Sequence, residues 1–490
     1  MRRVLAVLLL PVAVEAQEVV LRDGGPRLVA SIVSNAITQP HALRVGRENL
    51  VLRRDTLVTS NLLVLGRPTY LASRVQGDVV VVGADLYLRP GADITGRAIA
   101  IGGTVSRSFL GSVGGTTESY RDDSYTISGS GGRYELAYQG RAKSDAPPTF
   151  QLAGIQGLMM PAYDRVDGLS LPVGALVTLG ERVVEVQPFV TYRSRLGAFD
   201  PGVALRVMPD RPVRLEADIA RSTRTNDAWS RGDLVNSALT IGVGNDSRNY
   251  FRADGGTARL IGHVETVSTE IEPFVGGRYE RVSPITAAGN VFSFAGRTSI
   301  EHAARPNPLV ERGTIGSVLA GVRLAYSAGP VRAKLAAEGE RSLETPNGTS
   351  DFTQLTLHGA IDFPTFGLQR LLIEAHCVAS AGDSVPRSRY AYLGGGGTVP
   401  LMEQLEQGGD RLLFVDSKYA IPISAIVLPL VGSPTIFFRH IMGAAGVRSL
   451  PKLEQEIGAG IGIKMVRFDV MVDAAGKRDP KFGVGLSTSN

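Results

Sequence analysis

From about residue 150 to the end of the chain, apolar and charged side chains alternate one by one. Val213, Leu215, Ala217 and Ile219 are interleaved with Arg214, Glu216 and Asp218. Val331, Ala333, Leu335 and Ala337 are interleaved with Arg332, Lys334 and Glu338, and Val466, Phe468, Val470 and Val472 with Arg467, Asp469 and Asp473. Successive side chains of a strand point to opposite faces, so each run is a strand with one apolar and one charged face. A soluble sandwich would alternate in the same way, but these runs reach about nine residues or more, the length of a tilted membrane strand. They continue over roughly 340 residues, and their charged face mixes both signs, as the lining of a wet lumen does. At roughly 20–24 residues per strand and connection, the segment holds about fourteen to sixteen strands, enough to enclose water unless something fills the interior. No stretch approaches the roughly twenty apolar residues of a membrane-spanning helix. The expected class is therefore all-β: a transmembrane antiparallel β-barrel over residues 148–490. The 58 glycines suit a protein of many turns. The net charge of +5 is small for 490 residues and comes with no basic cluster, so nucleic acid is not an expected partner.

The beginning of the chain reads differently. Arg2 and Arg3, the apolar Val4 to Val14, and Val14-Glu15-Ala16 before Gln17 have the layout of a secretory signal peptide, residues 1–16. Residues 17–50 form an uncharacterised N-terminal segment. In 51–106 a phrase recurs: Leu63-Val64-Leu65-Gly66, Val80-Val81-Val82-Gly83 and Ile99-Ala100-Ile101-Gly102. Short β-branched runs closed by glycine at this period suit a small parallel β-helix, whose coils stack apolar sides. The segment resembles the bactofilin-like, polymer-forming repeat, here as a periplasmic spacer or cap. Residues 107–147, with Gly114-Gly115 and Ser128-Gly129-Ser130-Gly131-Gly132, read as a Gly/Ser-rich linker.

Three phrases in the barrel segment carry a second resemblance. Tyr163-Asp164-Arg165-Val166-Asp167-Gly168-Leu169 opens it. Later come Gly394, Gly395, Gly396, Gly397 and Thr398, then Asp410 and Arg411, then a strand through Tyr419 that ends in Pro422. Gly458 through Val470 reads as a final hairpin. The segment resembles the bacterial surface-antigen family of outer-membrane barrels, the superfamily of protein-assembly and secretion barrels. The resemblance implies a long glycine-rich loop before the Tyr419 strand, an outer-membrane location with the N-terminal domain in the periplasm, and clients that are unfolded outer-membrane or secreted polypeptides. In assembly barrels the loop carries an Arg-Gly-aromatic tip that folds into the lumen. Here the run is Thr398-Val399-Pro400-Leu401-Met402, and a proline cannot replace a guanidinium that pairs with lumen carboxylates.

Signs of chemistry are few. His41, His263, His302, His358, His376 and His440 show no metal-ligand spacing, so no metal site is expected. No nucleophile elbow or phosphate loop is present, Gly394 to Gly397 reading as a mobile turn, and no catalytic residue or cofactor is expected. Glu374 and His376 share a strand face, more simply read as a lumen hydrogen bond than as an acid–base pair. Lone Trp229 is equally a membrane-interface residue, with Tyr250, Phe251, Tyr390 and Tyr392, or a packed loop aromatic. Cys377 reads as an apolar strand residue. The function implied is help with insertion or translocation of polypeptides. The alternative is a passive channel or a structural envelope anchor, the β-helix meeting a cell-wall or periplasmic partner.

Overall fold

The computed structural model describes residues 18–486 apart from short stretches, the longest being 142–149, 286–291, 295–304 and 424–432. The segment expected to be a signal peptide lies outside the described residues. The chain forms two compact units, Met1–Ser144 and Asp145–Asn490.

The first unit is a solenoid of three parallel sheets. One sheet stacks His41–Val45, Asn61–Leu65, Val79–Val82, Ala98–Ile101 and Thr117–Tyr120 in register. The second stacks Leu50–Leu52, Thr69–Leu71, Leu86–Leu88 and Val105–Arg107, and the third ends on Ser112–Val113. The glycine that closes each repeat occupies the same corner, in the left-handed region, at Gly66 (φ 68°), Gly83 (φ 77°) and Gly102 (φ 71°). A side chain there is resisted by backbone sterics, and at Gly102 it would also meet the Gly83 backbone at 3.4 Å.

Val79 to Val82 are buried without a break, which a solenoid facing water on one side would not require. Val79 and Val81 point into the coil interior. Val80 and Val82 point outward and are covered by helix α1 (Arg27–Thr38) through Val29, Ile32 and Val33, together with Tyr125 and Leu136. The covering sheet consists of Asp123–Ser130 and Arg133–Arg141 as a hairpin, with Glu18–Asp23 added parallel to Arg133–Arg141. This corrects the linker expected at 107–147 and the repeat bounds of 51–106. The coils run from His41 to Tyr120, and the glycine-rich stretch is part of the packed unit. Its glycines serve close stacking rather than flexibility: a Cβ on Gly114 would lie 2.0 Å from the Thr95 carbonyl oxygen one coil below.

Among the described residues, the second unit is built on one antiparallel sheet of eighteen strand segments, ordered along the chain. Phe150–Leu152 and Ala162–Asp164 both pair with Gly168–Leu179. Phe251–Gly262 and Val264–Glu265 likewise both pair with Thr269–Pro284. Each such couple is one interrupted strand, so the sheet is sixteen strands wide, within the expected range. Its two faces are inverted relative to a soluble protein. Val207, Leu215, Leu260 and Val275 lie side by side on four neighbouring strands, and the last two are 50% and 57% exposed. The opposite face buries charge: Asp200 and Glu280 are each 1% exposed. Buried carboxylates are tolerated only when paired, and here they are. Arg252 donates to Asp200 at 2.8 Å, Arg224 to Glu280 at 2.9 Å, and Arg278 and Arg259 to Glu338 at 3.0 and 2.8 Å.

The sheet wraps around the segment that connects Val213–Arg224 to Phe251–Gly262. Within it, α2 (Asp233–Val243) is tied to the first strand by Ser237 Oγ, which accepts the Tyr163 backbone N–H at 2.9 Å. Just before α2, Trp229 stacks on His376 of Arg370–Ala381, ring centroids 4.1 Å apart. Early and late strands thus share one filling, and the architecture is a β-barrel with an occupied interior.

Candidate functional site

The connection between Arg370–Ala381 and Arg411–Pro422 is the best candidate. It folds against the charged inner face, starting from the short hairpin Ala391–Leu393 with Gln407–Gly409. Leu393, Val399 and Met402 are fully buried against Leu412, Phe414 and Ile441 of the wall. Gly394 and Gly395 adopt φ of 128° and 84°. A Cβ on Gly394 would stand 2.2 Å from the Glu403 carbonyl oxygen, so the tight return of the loop depends on glycine. Thr398 Oγ1 accepts the Gly394 N–H at 2.9 Å and closes the turn. The mobile turn read from the four glycines is therefore corrected to a packed one. Its apolar flanks supply the burial that a loop of glycines alone lacks.

The expected site residues divide between two faces. Gly394, Gly395 and Thr398 are buried inside, with Gly396 and Gly397 against the Arg231 side chain. Asp410 sits at the loop base and accepts the Arg448 backbone N–H at 2.6 Å. Arg411 and Tyr419 alternate with the inward Leu412 and Lys418, which places them on the outer face, away from the glycine run. The Tyr419 hydroxyl bonds Gln369 and Thr365 there.

A buried guanidinium lies in the same connection, upstream of the glycines. Arg389 is 5% exposed, and its Nη2 lies 2.7 Å from Glu280 and 2.9 Å from Glu340 on the wall. Its Nε adds a bond of 3.0 Å to Glu340. Asn226, from the filling segment, donates to the Ser388 and Tyr390 carbonyls at 2.7 and 3.0 Å. Sequence reading missed Arg389 because its partners lie on strands far away along the chain and no local motif marks them. The far end of the loop reaches the last strands. Glu456 accepts the Leu401 N–H at 2.8 Å, Arg478 pairs with Glu406 at 2.8 Å, and Lys481 donates to the Pro400 carbonyl at 3.1 Å.

Between the loop, α2 and the wall lies a cavity of about 740 Å³. Arg231, Lys418, Arg467, Glu374 and Asp416 are among the residues that line it, and it extends to Phe482-Gly483-Val484 of the last strand. Arg231 lies outside the strands, and burial together with the nearby Arg467 guanidinium lowers its pKa to about 10. Among the described residues, the last strand Lys481–Leu486 pairs with Val466–Asp473 on one side and with no strand on the other, and no pairing joins it to the first strand. Trp229, stacked inside the lumen, is a packed loop aromatic rather than an interface anchor. His376 and Glu374 do share the inner face, but the Glu374 carboxylate approaches His358, at 3.9 Å, rather than His376. Among the described residues, His263, Glu270 and Glu272 gather at one hairpin with ligand-type atoms within 4.8 Å of one another. The sequence expectation of no metal site considered only spacing along the chain.

No protein family and no curated protein matches the sequence. Among solved structures, BamA from Haemophilus ducreyi lacking POTRA domains 1–3 is similar at 9% identity and a TM-score of 0.45, over 74% of this chain and 75% of that one. CdiB from Escherichia coli is similar at 12% identity and a TM-score of 0.41, over 74% of this chain and 66% of that one. CdiB from Acinetobacter baumannii follows at 10% and 0.39, with 64% of its length covered. At such identities and scores, the architecture rests on the strand pairing of the chain itself.

Proposed function

We propose that this chain is an outer-membrane barrel that helps polypeptides insert into or cross the membrane, through the gap beside its last strand. The membrane reading rests on the inverted faces. A band of exposed Val, Leu, Phe and Tyr is costly in water and stable in lipid. The first unit would then stand in the periplasm, where its coils could meet a cell-wall or periplasmic partner. The observation that carries the polypeptide reading is the combination at Lys481–Leu486: a strand with one edge unpaired among the described residues, beside an interior cavity, with an infolded loop tied to it through Lys481 and Pro400. Free backbone N–H and C=O groups are a template for an incoming strand. A passive channel is less favoured, because α2 and the loop fill the lumen that would conduct.

The test is a lock across the gap. Cys377 is first replaced by serine, and cysteine pairs then join residues 150–152 to residues 481–484. Proteoliposomes carrying the purified chain should speed the insertion of an unfolded small barrel protein, read by its heat-modifiable mobility. Oxidation should abolish the acceleration and reductant restore it. No acceleration over protein-free vesicles, or acceleration indifferent to the lock, refutes the proposal.

A further inference from the structure

At the turn joining Phe251–Gly262 to Thr269–Pro284, the side chains of His263, Glu265, Glu270 and Glu272 converge. Glu270 and Glu272 are two residues apart on one strand, hence on the same face. His263 comes from the opposite arm of the hairpin. Its Nδ1 lies 3.3 Å from Glu272 Oε1 and 3.8 Å from Glu270 Oε1, so one ring nitrogen faces two carboxylates at once. Its other nitrogen, Nε2, lies 3.5 Å from Glu265 Oε2.

We propose that His263 Nδ1, Glu270 and Glu272 form a binding site for a divalent cation of the zinc class, with Glu265 orienting the imidazole. Two independent features point there. First, the ligand atoms all lie within 4.8 Å of one another, so side-chain adjustments of about 1 Å bring them to the ~2.0–2.2 Å bonds that zinc makes with N and O donors. Second, a carboxylate on the far ring nitrogen is the arrangement that fixes the tautomer of a metal-binding histidine and raises its basicity. An imidazole among carboxylates selects zinc or a neighbouring transition ion over magnesium and calcium, which take oxygen donors. Three protein ligands leave a fourth position open to solvent.

Arg214 donates to Glu272 Oε1 at 2.5 Å and to Glu216 at 3.0 Å, and Arg323 lies 3.8 Å from Glu272 Oε2. Arg214 does not block the site, since ligating carboxylates are themselves commonly hydrogen-bonded and Arg214 holds the Glu272 rotamer in place.

The experiment uses the full chain, free of affinity tags, in detergent and stripped by a chelator. Co²⁺ serves as the probe. One equivalent should give the visible bands of a low-coordinate cobalt site, and Zn²⁺ should displace it. The His263→Ala variant should lose the bands, and Glu265→Gln should weaken binding by about tenfold or more. His440→Ala, an exposed histidine elsewhere, should change nothing. Unchanged heat-modifiable mobility shows that each variant is folded. The proposal is overturned if the parent binds no stoichiometric ion, if the His263→Ala bands persist, or if His440→Ala removes them.

Discussion

Replacing Arg389 with methionine keeps the stem and removes the guanidinium that pins the infolded loop. The structure sets the cost. Arg389 makes close contacts to Glu280 (2.7 Å) and Glu340 (2.9 and 3.0 Å), all almost fully buried. Removing one partner of a buried ion pair costs about 3–5 kcal/mol, because the remaining charge is left without compensation. Neither glutamate is left bare here. Glu280 keeps Arg224 at 2.9 Å, and Glu340 keeps Arg278 at 2.9 Å and the Ser317 hydroxyl at 2.6 Å. The low end applies, about 3 kcal/mol, which raises the population of the loop-detached state by roughly a hundredfold at 1.4 kcal/mol per factor of ten. Hydrogen exchange reads this directly. Amides within residues 391–409, such as Gly395, whose N–H bonds the Val399 carbonyl at 3.0 Å, should exchange about a hundredfold faster. Amides of Val331–Glu344 should keep their protection. Adding Glu340→Gln should return part of the loss, since it removes one of the charges left in excess. Loop exchange that changes by less than about threefold would refute the pinning role and the energetic reasoning behind it.

Other outcomes follow from the same structure. Val275→Lys places a charge in the middle of the outward apolar band and should cost about 2–4 kcal/mol in lipid, read as a lower folded fraction by heat-modifiable mobility. Thr257→Lys on the inner face of the neighbouring strand should cost less in the same assay. Gly394→Ala forces a side chain into a φ of 128° and against the Glu403 carbonyl. Strain of about 1–3 kcal/mol should make the loop protease-sensitive while the barrel stays folded. In the solenoid, the Thr104 backbone N–H and hydroxyl hold the Asp85 carboxyl below its ordinary range. A depressed folded pKa gives stability that is present above the unfolded value of about 3.9 and lost as pH falls through the folded one. Thermal melts of the first unit's signal should therefore drop as pH falls below about 4, and Asp85→Asn should flatten that part of the profile.

The strands of the second unit were legible because period-two patterning is local. Val213, Leu215, Ala217 and Ile219 need no partner to declare a face, although the pattern alone does not say which face meets solvent. The filling of the lumen was not legible. Arg389 and Glu280 lie more than a hundred residues apart, and Leu393, Val399 and Met402 are too few and too spread to show a period. Gly114-Gly115 looked like linker because backbone that must approach closely and backbone that must bend freely both use glycine. Helix α1 was missed for a similar reason: Val29, Ile32, Val33 and Ala36 form a single short stripe, whose meaning comes from the outward-facing valines of the solenoid. His263 meets Glu270 and Glu272 only across a hairpin, where separation along the chain says nothing about separation in space.

The pairing of Glu18–Asp23 with Arg133–Arg141 also sets an order of events in folding. A chain made from its amino end can stack each coil on the previous one as it appears, since neighbouring coils are close in sequence. Its first strand must wait, however, until more than a hundred further residues have been made. During that interval the outward side of Val80, Val82, Ile99 and Ile101 has only α1 to cover it. Long-range closure of this kind is the slow step in a solenoid whose coils otherwise pair with their neighbours. The unit therefore reaches full stability as its last strand docks, and agents that protect unfolded chains have their window on that apolar surface until then.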